Sequence, residues 1–210
     1  MRCIVAVALI VALFVPVESP ATPPRITTRG AARQAKLPAS HSPDFQSAER
    51  KIQYLTQNGK RQQPEPTTTT LTANEINAYL AEGGVALPVG VQQVRFSSVP
   101  AVVTGAARVD FDQLTAAHRS SNPIMAALFT GVHDVVVVAQ ATGSNGIGSV
   151  RVQSMSIDGI TVPRAAMQFL VDHYLKPKYG PEVSLDSTFR LPARINTAVV
   201  GQNQVSLTQR

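Results

Sequence analysis

The sequence predicts an α+β fold built on an antiparallel sheet, and three observations predict it. From Val91 onward, apolar residues recur mostly at every second position, in segments parted by short turns. Ser144-Asn145-Gly146 stands between two such segments and marks a hairpin, because both positions of a tight hairpin turn favour left-handed backbone. Helical spacing is confined to a few stretches, the best being residues 163–175 (PRAAMQFLVDHYL). Strand runs with helices set apart from them give α+β rather than alternating α/β.

The chain begins with Met1-Arg2 and then thirteen unbroken apolar residues, 3–15 (CIVAVALIVALFV), ended by Pro16. A membrane-spanning helix needs roughly 20 residues, so this length suits the core of a secretory signal. Ser19 and Ala21 are small residues at the positions a signal peptidase reads, and cleavage after Ala21 leaves Thr22 as the new terminus. Residues 1–21 are therefore expected to be a signal peptide of an exported, periplasmic or extracellular protein. The alternative is an uncleaved anchor, which the short run disfavours. The only cysteine, Cys3, lies in this segment, so the mature chain has no thiol nucleophile, disulfide or cysteine metal site.

Residues 22–66 hold eight Lys/Arg against three acids, whereas residues 67–210 hold ten against nine. The basicity thus belongs to a Pro-rich segment read as a linker carrying one helix, 44–58. Such an arm is drawn to anionic lipid head groups, or it is simply a solvated tether. Nucleic acid is excluded as a partner, because the folded part, 67–210, is almost neutral. Within the arm, Ser42-Pro43-Asp44 is a good helix start, Phe45, Ala48, Ile52 and Leu55 lie at helical spacing, and Asn58-Gly59 reads as a stop.

A short β-branched strand, 67–71, follows. Thr72-Ala73-Asn74-Glu75 is a capping box opening a helix with Ile76, Tyr79 and Leu80 on one face. Residues 91–99 and 101–111 read as a strand pair turned at Pro100, and 112–119 as a short helical excursion. Residues 122–130 (NPIMAALFT) form an apolar segment, helical or a buried loop. Strands are expected at 132–142, 148–157, 183–191 and 195–207, the last interrupted near Gly201. Pro177 and Gly180 close the helix that Pro163 opens.

Motifs for chemistry are scarce. His41, His118, His133 and His173 form no paired helical set with a glutamate, so no metal site is expected. Asp110 and Asp112 would share one strand face about 7 Å apart if the strand continued, enough for a calcium ion or an acid/base pair. If the strand ends there, Asp112 instead caps the next helix. Gly143, Gly146 and Gly148 resemble a phosphate loop, but they sit in a hairpin rather than before a helix. No cofactor and no enzymatic activity are expected.

Apolar capacity is the more informative signal. Residues 135–138 (VVVV) are apolar toward both faces of any strand they form, so both faces must be covered. The Pro163 helix can pack one face. The other needs a second layer, a membrane-like ligand or a partner. Ile124, Met125, Ala127, Leu128 and Phe129 form a second apolar cluster.

Four stretches resemble the tubular lipid-binding (TULIP-like) class of exported proteins: 71–80 (LTANEINAYL), 107–114 (ARVDFDQL), 150–163 (VRVQSMSIDGITVP) and 189–192 (FRLP). Within that class the likeness is to the LmeA-type envelope phospholipid-binding proteins, and it concerns the order of elements over residues 67–210. The resemblance implies a twisted antiparallel sheet packed around a long C-terminal helix, here from Pro163 to Leu175, with a shorter N-terminal helix. It implies an apolar groove for phospholipid or another hydrophobic small molecule, and it carries no catalytic residue across. The expected groove residues are Ile124, Met125, Leu128, Phe129, Met167, Leu170, Val171 and Tyr174. The function expected is binding of lipid or another hydrophobic ligand in the cell envelope, the alternative being a structural or interaction module.

Overall fold

The computed structural model describes residues 41–114, 130–181 and 183–210. Their elements follow the chain as α1 (Pro43–Lys60), β1 (Thr67–Thr72), α2 (Ala73–Ala81), β2 (Val91–Val99), β3 (Val102–Asp110) and α3 (Phe111–Leu114). Then come β4 (Val132–Ser144), β5 (Ile147–Ile157), β6 (Ile160–Thr161), α4 (Arg164–Leu170), a π turn (Val171–Leu175), α5 (Lys176–Tyr179), β7 (Asp186–Arg190), β8 (Ile195–Gly201) and β9 (Gln204–Gln209).

All nine strands join one sheet, and every pairing in it is antiparallel. Its spine is the β4–β5 hairpin. Asn145 (φ 51°) and Gly146 (φ 74°) turn it, both left-handed as the twist of a two-residue hairpin requires. One edge of β4 carries β3 and then β2. Beyond Gln140 that edge passes to β8, through Gly143 opposite Ala198, and on to β9 and β1. The free edge of β5 carries β7 near the hairpin and β6 at its other end.

The two spine glycines are there for close approach. A Cβ on Gly143 would lie 2.8 Å from the Cβ of Ala198, and one on Gly148 would lie 2.7 Å from the Phe189 ring. The Gly-rich stretch thus lets β8 and Phe189 close on the hairpin.

The helices lie on one face. Val135, Val137, Ala139 and Ala141 of β4 point to it, as do Ile157, Met155, Val152 and Val150 opposite them on β5. Two buried clusters share this face. The first joins α1 (Ala48, Ile52, Leu55) and α2 (Ile76, Leu80) to β1, β8, β9 and the hairpin end of the spine. The second joins Val109, Phe111, Val135, Met155 and Ile157 to Ala166, Met167, Leu170 and Val171.

Helix α1 starts as its sequence dictates: Ser42 Oγ accepts the Phe45 amide (3.2 Å), and Pro43 occupies the first turn. The capping box forms, with Glu75 reaching back to the Thr72 amide at 2.8 Å. Glu75 also binds Lys51 (2.6 Å) and Ser47 (2.5 Å) of α1, so one buried carboxylate ties both helices together. Burial pushes its pKa up. The bonds from Lys51, Ser47 and the Thr72 amide outweigh this and leave it below the usual value.

The expectation of a sheet packed around a long C-terminal helix is corrected. The fold is sheet-dominated, with short helices. After Pro163 the chain makes seven α residues, then five in a π turn, then four more α residues, and Pro177 removes one helical donor. Seven residues rise about 10 Å, whereas the thirteen of β4 extend about 44 Å. Such a helix can cover one end of the sheet but cannot form an axis for it. Among the described residues the longest helix is instead α1, with 18 residues.

Candidate functional site

The face of the sheet turned away from the helices is the candidate site. Register assigns its residues. Arg108 of β3 lies opposite Asp134 of β4. Next come the rows Ala106–Val136–Ser156 and Thr104–Val138–Ser154, and then Val102–Gln140–Arg151–Asp186. Arg95, Ser97 and Val99 of β2 extend these rows. On the far side the face continues as a hydroxyl ladder, Thr68 to Thr208 and Thr70 to Ser206, each pair 2.9 Å apart.

An open antiparallel sheet face is normally polar, because alternation sends apolar residues inward. Here β4 places Val136 and Val138 outward, beside Ala106 and Thr104 of β3, with Val102 one row further on. Val99 and Val132 on the same face are half exposed, at 48% and 50%. Val136 and Val138 are partly buried, and neither buried cluster includes a residue of these rows. The charged side chains flank them: Arg151 and Arg164 both meet Asp186, at 3.4 and 2.7 Å.

The groove residues expected from the sequence fall into three sets. Ile124, Met125, Leu128 and Phe129 lie outside the described residues. Met167, Leu170 and Val171 come together, each less than 9% exposed, and pack against the spine in the second core. Tyr174 lies in the π turn.

The other candidates have local roles. Strand β3 ends at Asp110, which itself caps α3: its Oδ1 accepts the Gln113 amide at 3.1 Å. Asp112 accepts the Gly131 amide at 3.2 Å. The two carboxylates therefore serve different backbone groups. His41 stacks on Phe45, with ring centroids 4.0 Å apart, and meets Glu82. His173 stacks on Phe169 at 4.1 Å. His118 lies outside the described residues. Among the described residues, no group of three His, Cys, Asp or Glu could hold a metal ion. A shallow concavity of about 400 Å³ is lined by Thr72, Ala73, Asn74, Asn77, Phe96 and Asn203. Asn77 is already committed there, bonding both backbone groups of Phe96.

His133 is the most strongly engaged ring. Its Nδ1 donates to Asp158 (2.6 Å) and its Nε2 to the Thr130 carbonyl (2.7 Å). Both partners only accept, so the arrangement is complete in the imidazolium form. The Asp158 carboxylate first, then the Thr130 carbonyl, raise the His133 pKa above its ordinary 6.5. Asp112 raises it further, and Arg108 helps hold Asp158 ionised. A raised folded-state pKa gives stability that is fully present below the unfolded value and is lost as pH rises through the folded one. The melting temperature should therefore fall as pH rises from the ordinary histidine value of 6.5 through the raised one, and His133→Gln should flatten that slope. An equal slope in the variant would assign the dependence to other groups.

No family model, no curated protein and no solved structure matches this chain. Among the described residues, no helix is long and apolar enough to cross a membrane. The register-assigned face is invisible to a motif search, since it has no spacing signature. Its one trace in the sequence is the VVVV run, apolar on both sides.

Proposed function

We propose that this chain is an exported, non-enzymatic interaction module of the cell envelope, working through the open face of its sheet. One observation carries the reading: β4 is apolar on both faces, and among the described residues the helices cover only one. Partly exposed valines set among small side chains and rimmed by charge suit a protein contact surface. The signal-like residues 1–21 support export, and the basic segment 22–66 suits peripheral contact with an anionic membrane.

A second reading, binding of phospholipid or another hydrophobic small molecule, is favoured by a gap on the helix side. Gly105 and Val137 pair where the two buried clusters part, and a Cβ on Gly105 would meet nothing within 4 Å among the described residues. Val103, Ala107 and Val137 beside it are apolar and only partly buried.

One experiment separates the readings: a photo-cross-linking side chain placed at position 138 or at position 105, activated in the cells that make the protein. Position 138 should give an adduct that mass spectrometry maps to one polypeptide partner. Lipid adducts from position 105, with none from 138, would replace the first reading by the second. Silence from 138 with none from 105 would remove both.

A further inference from the structure

Resting on that reading, we infer that the partner on the open face is a second copy of this chain, the two sheets packing face to face. Three features carry this. The first is shape. In each central row one valine stands between small side chains, Val136 between Ala106 and Ser156, and Val138 between Thr104 and Ser154. Valines of one copy can enter the hollows over the small residues of the other, as interdigitation of two sheets about 10 Å apart requires. These side chains also lose little rotamer freedom on burial.

The second feature is charge. The face carries Arg95, Arg108, Arg151 and Arg190 against Asp110, Asp134 and Asp186, with Arg108 opposite Asp134 and Arg151 opposite Asp186. Neither sign dominates. A polyanion or a strongly acidic protein finds no complementary field here, whereas a copy with the same mixed rim does. A symmetric dimer needs such a self-complementary patch.

The third is size. With about 3.4 Å per residue along a strand and about 4.8 Å between strands, β2, β3, β4, β5 and β7 span about 750 Å². That approaches the roughly 800 Å² per partner of a standard stable interface.

The test is sedimentation equilibrium of the purified chain over a wide concentration range. The wild type should reach twice the mass of one purified chain. Val136→Asp with Val138→Asp should raise the dimer Kd by on the order of 100-fold or more, since unpaired charge would be buried. Val89→Asp, at a loop residue 65% exposed, should leave it unchanged. If the aspartate variant misfolds, a spin label on Gln140→Cys supplies the second reading, because a face-to-face dimer brings the two labels within short dipolar range. A wild type that stays monomeric throughout, or a dimer that keeps its Kd in the aspartate variant and its labels far apart, overturns the inference. In either case, a heterologous polypeptide cross-linked from position 138 leaves the proposed function standing, whereas no adduct there ends both.

Discussion

Replacing Gln209 by leucine should lower the melting temperature by roughly 10 °C, although the side chain keeps a similar volume. Gln209 is fully buried near the end of the chain. Its Nε2 donates to the Leu55 carbonyl (2.8 Å) and the Ala193 carbonyl (2.5 Å), and its Oε1 accepts from Asn58 Nδ2 (2.9 Å). Asn58 is buried too, and it passes the connection to Glu65 by two bonds of 2.9 Å. One amide thus joins α1, the turn before β8 and the approach to β1. Leucine would strand the Asn58 donor and the Ala193 acceptor without water, and would take a second bond from the Leu55 carbonyl.

Each buried group left unsatisfied costs about 1–3 kcal/mol. The Leu55 carbonyl keeps its place in the helix ladder, so the total should be about 3–5 kcal/mol. For a domain of this size each kcal/mol moves the melting temperature by about 2–4 °C. Arg210→Ala, next along the chain but exposed, is the control and should move it little. Thermal unfolding followed by circular dichroism reads both. A Gln209→Leu melt within about 2 °C of wild type would mean that water reaches these groups.

The hairpin, the capping box and the helix starts were readable in the sequence because their causes are local. Asn145-Gly146 needs only its own backbone preference, and Thr72 with Glu75 only a separation of three. The shape of the C-terminal helix was not readable. Ala166, Met167, Leu170 and Val171 have helical spacing, but spacing does not report the slip into a π turn at Val171. The candidate face was half readable. The VVVV run announced a strand needing cover on both sides. Which neighbours share Val138's face depends on the β4–β5 register, and that shifts by one residue at the bulge past Val138. Gln209 gave no signal at all, since a glutamine at a chain end reads as surface.

Gly59 shows how a local reading can be reasonable and still miss the cause. Asn58-Gly59 looks like a helix stop, yet α1 continues to Lys60, and Gly59 is not among the residues with positive φ. In a helical backbone, alanine is preferred to glycine by about 1 kcal/mol. A glycine kept only as a stop signal would therefore make Gly59→Ala neutral or stabilising. The packing predicts the opposite sign. A Cβ on Gly59 would lie 2.4 Å from the Ala193 carbonyl oxygen, 2.6 Å from its carbon and 2.7 Å from its Cα. These are backbone atoms of a turn with little room to retreat. Ala193 (φ 51°) and Arg194 (φ 54°) are both left-handed, the Ile195 amide binds the Pro192 carbonyl at 3.0 Å, and Gln209 holds the Ala193 carbonyl from the other side. Overpacking against such a wall costs about 1–3 kcal/mol, occasionally more. Three backbone atoms this close put the cost at the top of that range, so after the propensity gain Gly59→Ala should still destabilise by about 2 kcal/mol, or roughly 5 °C in the melt. Lys60→Ala, one residue on, gains the same kind of propensity without the contact and should stay near wild type. A Gly59→Ala protein melting at or above wild type would mean that α1 does not approach the 192–195 turn this closely. The Gln209 connection spanning the same gap would then have to be longer as well, so the two substitutions test one another.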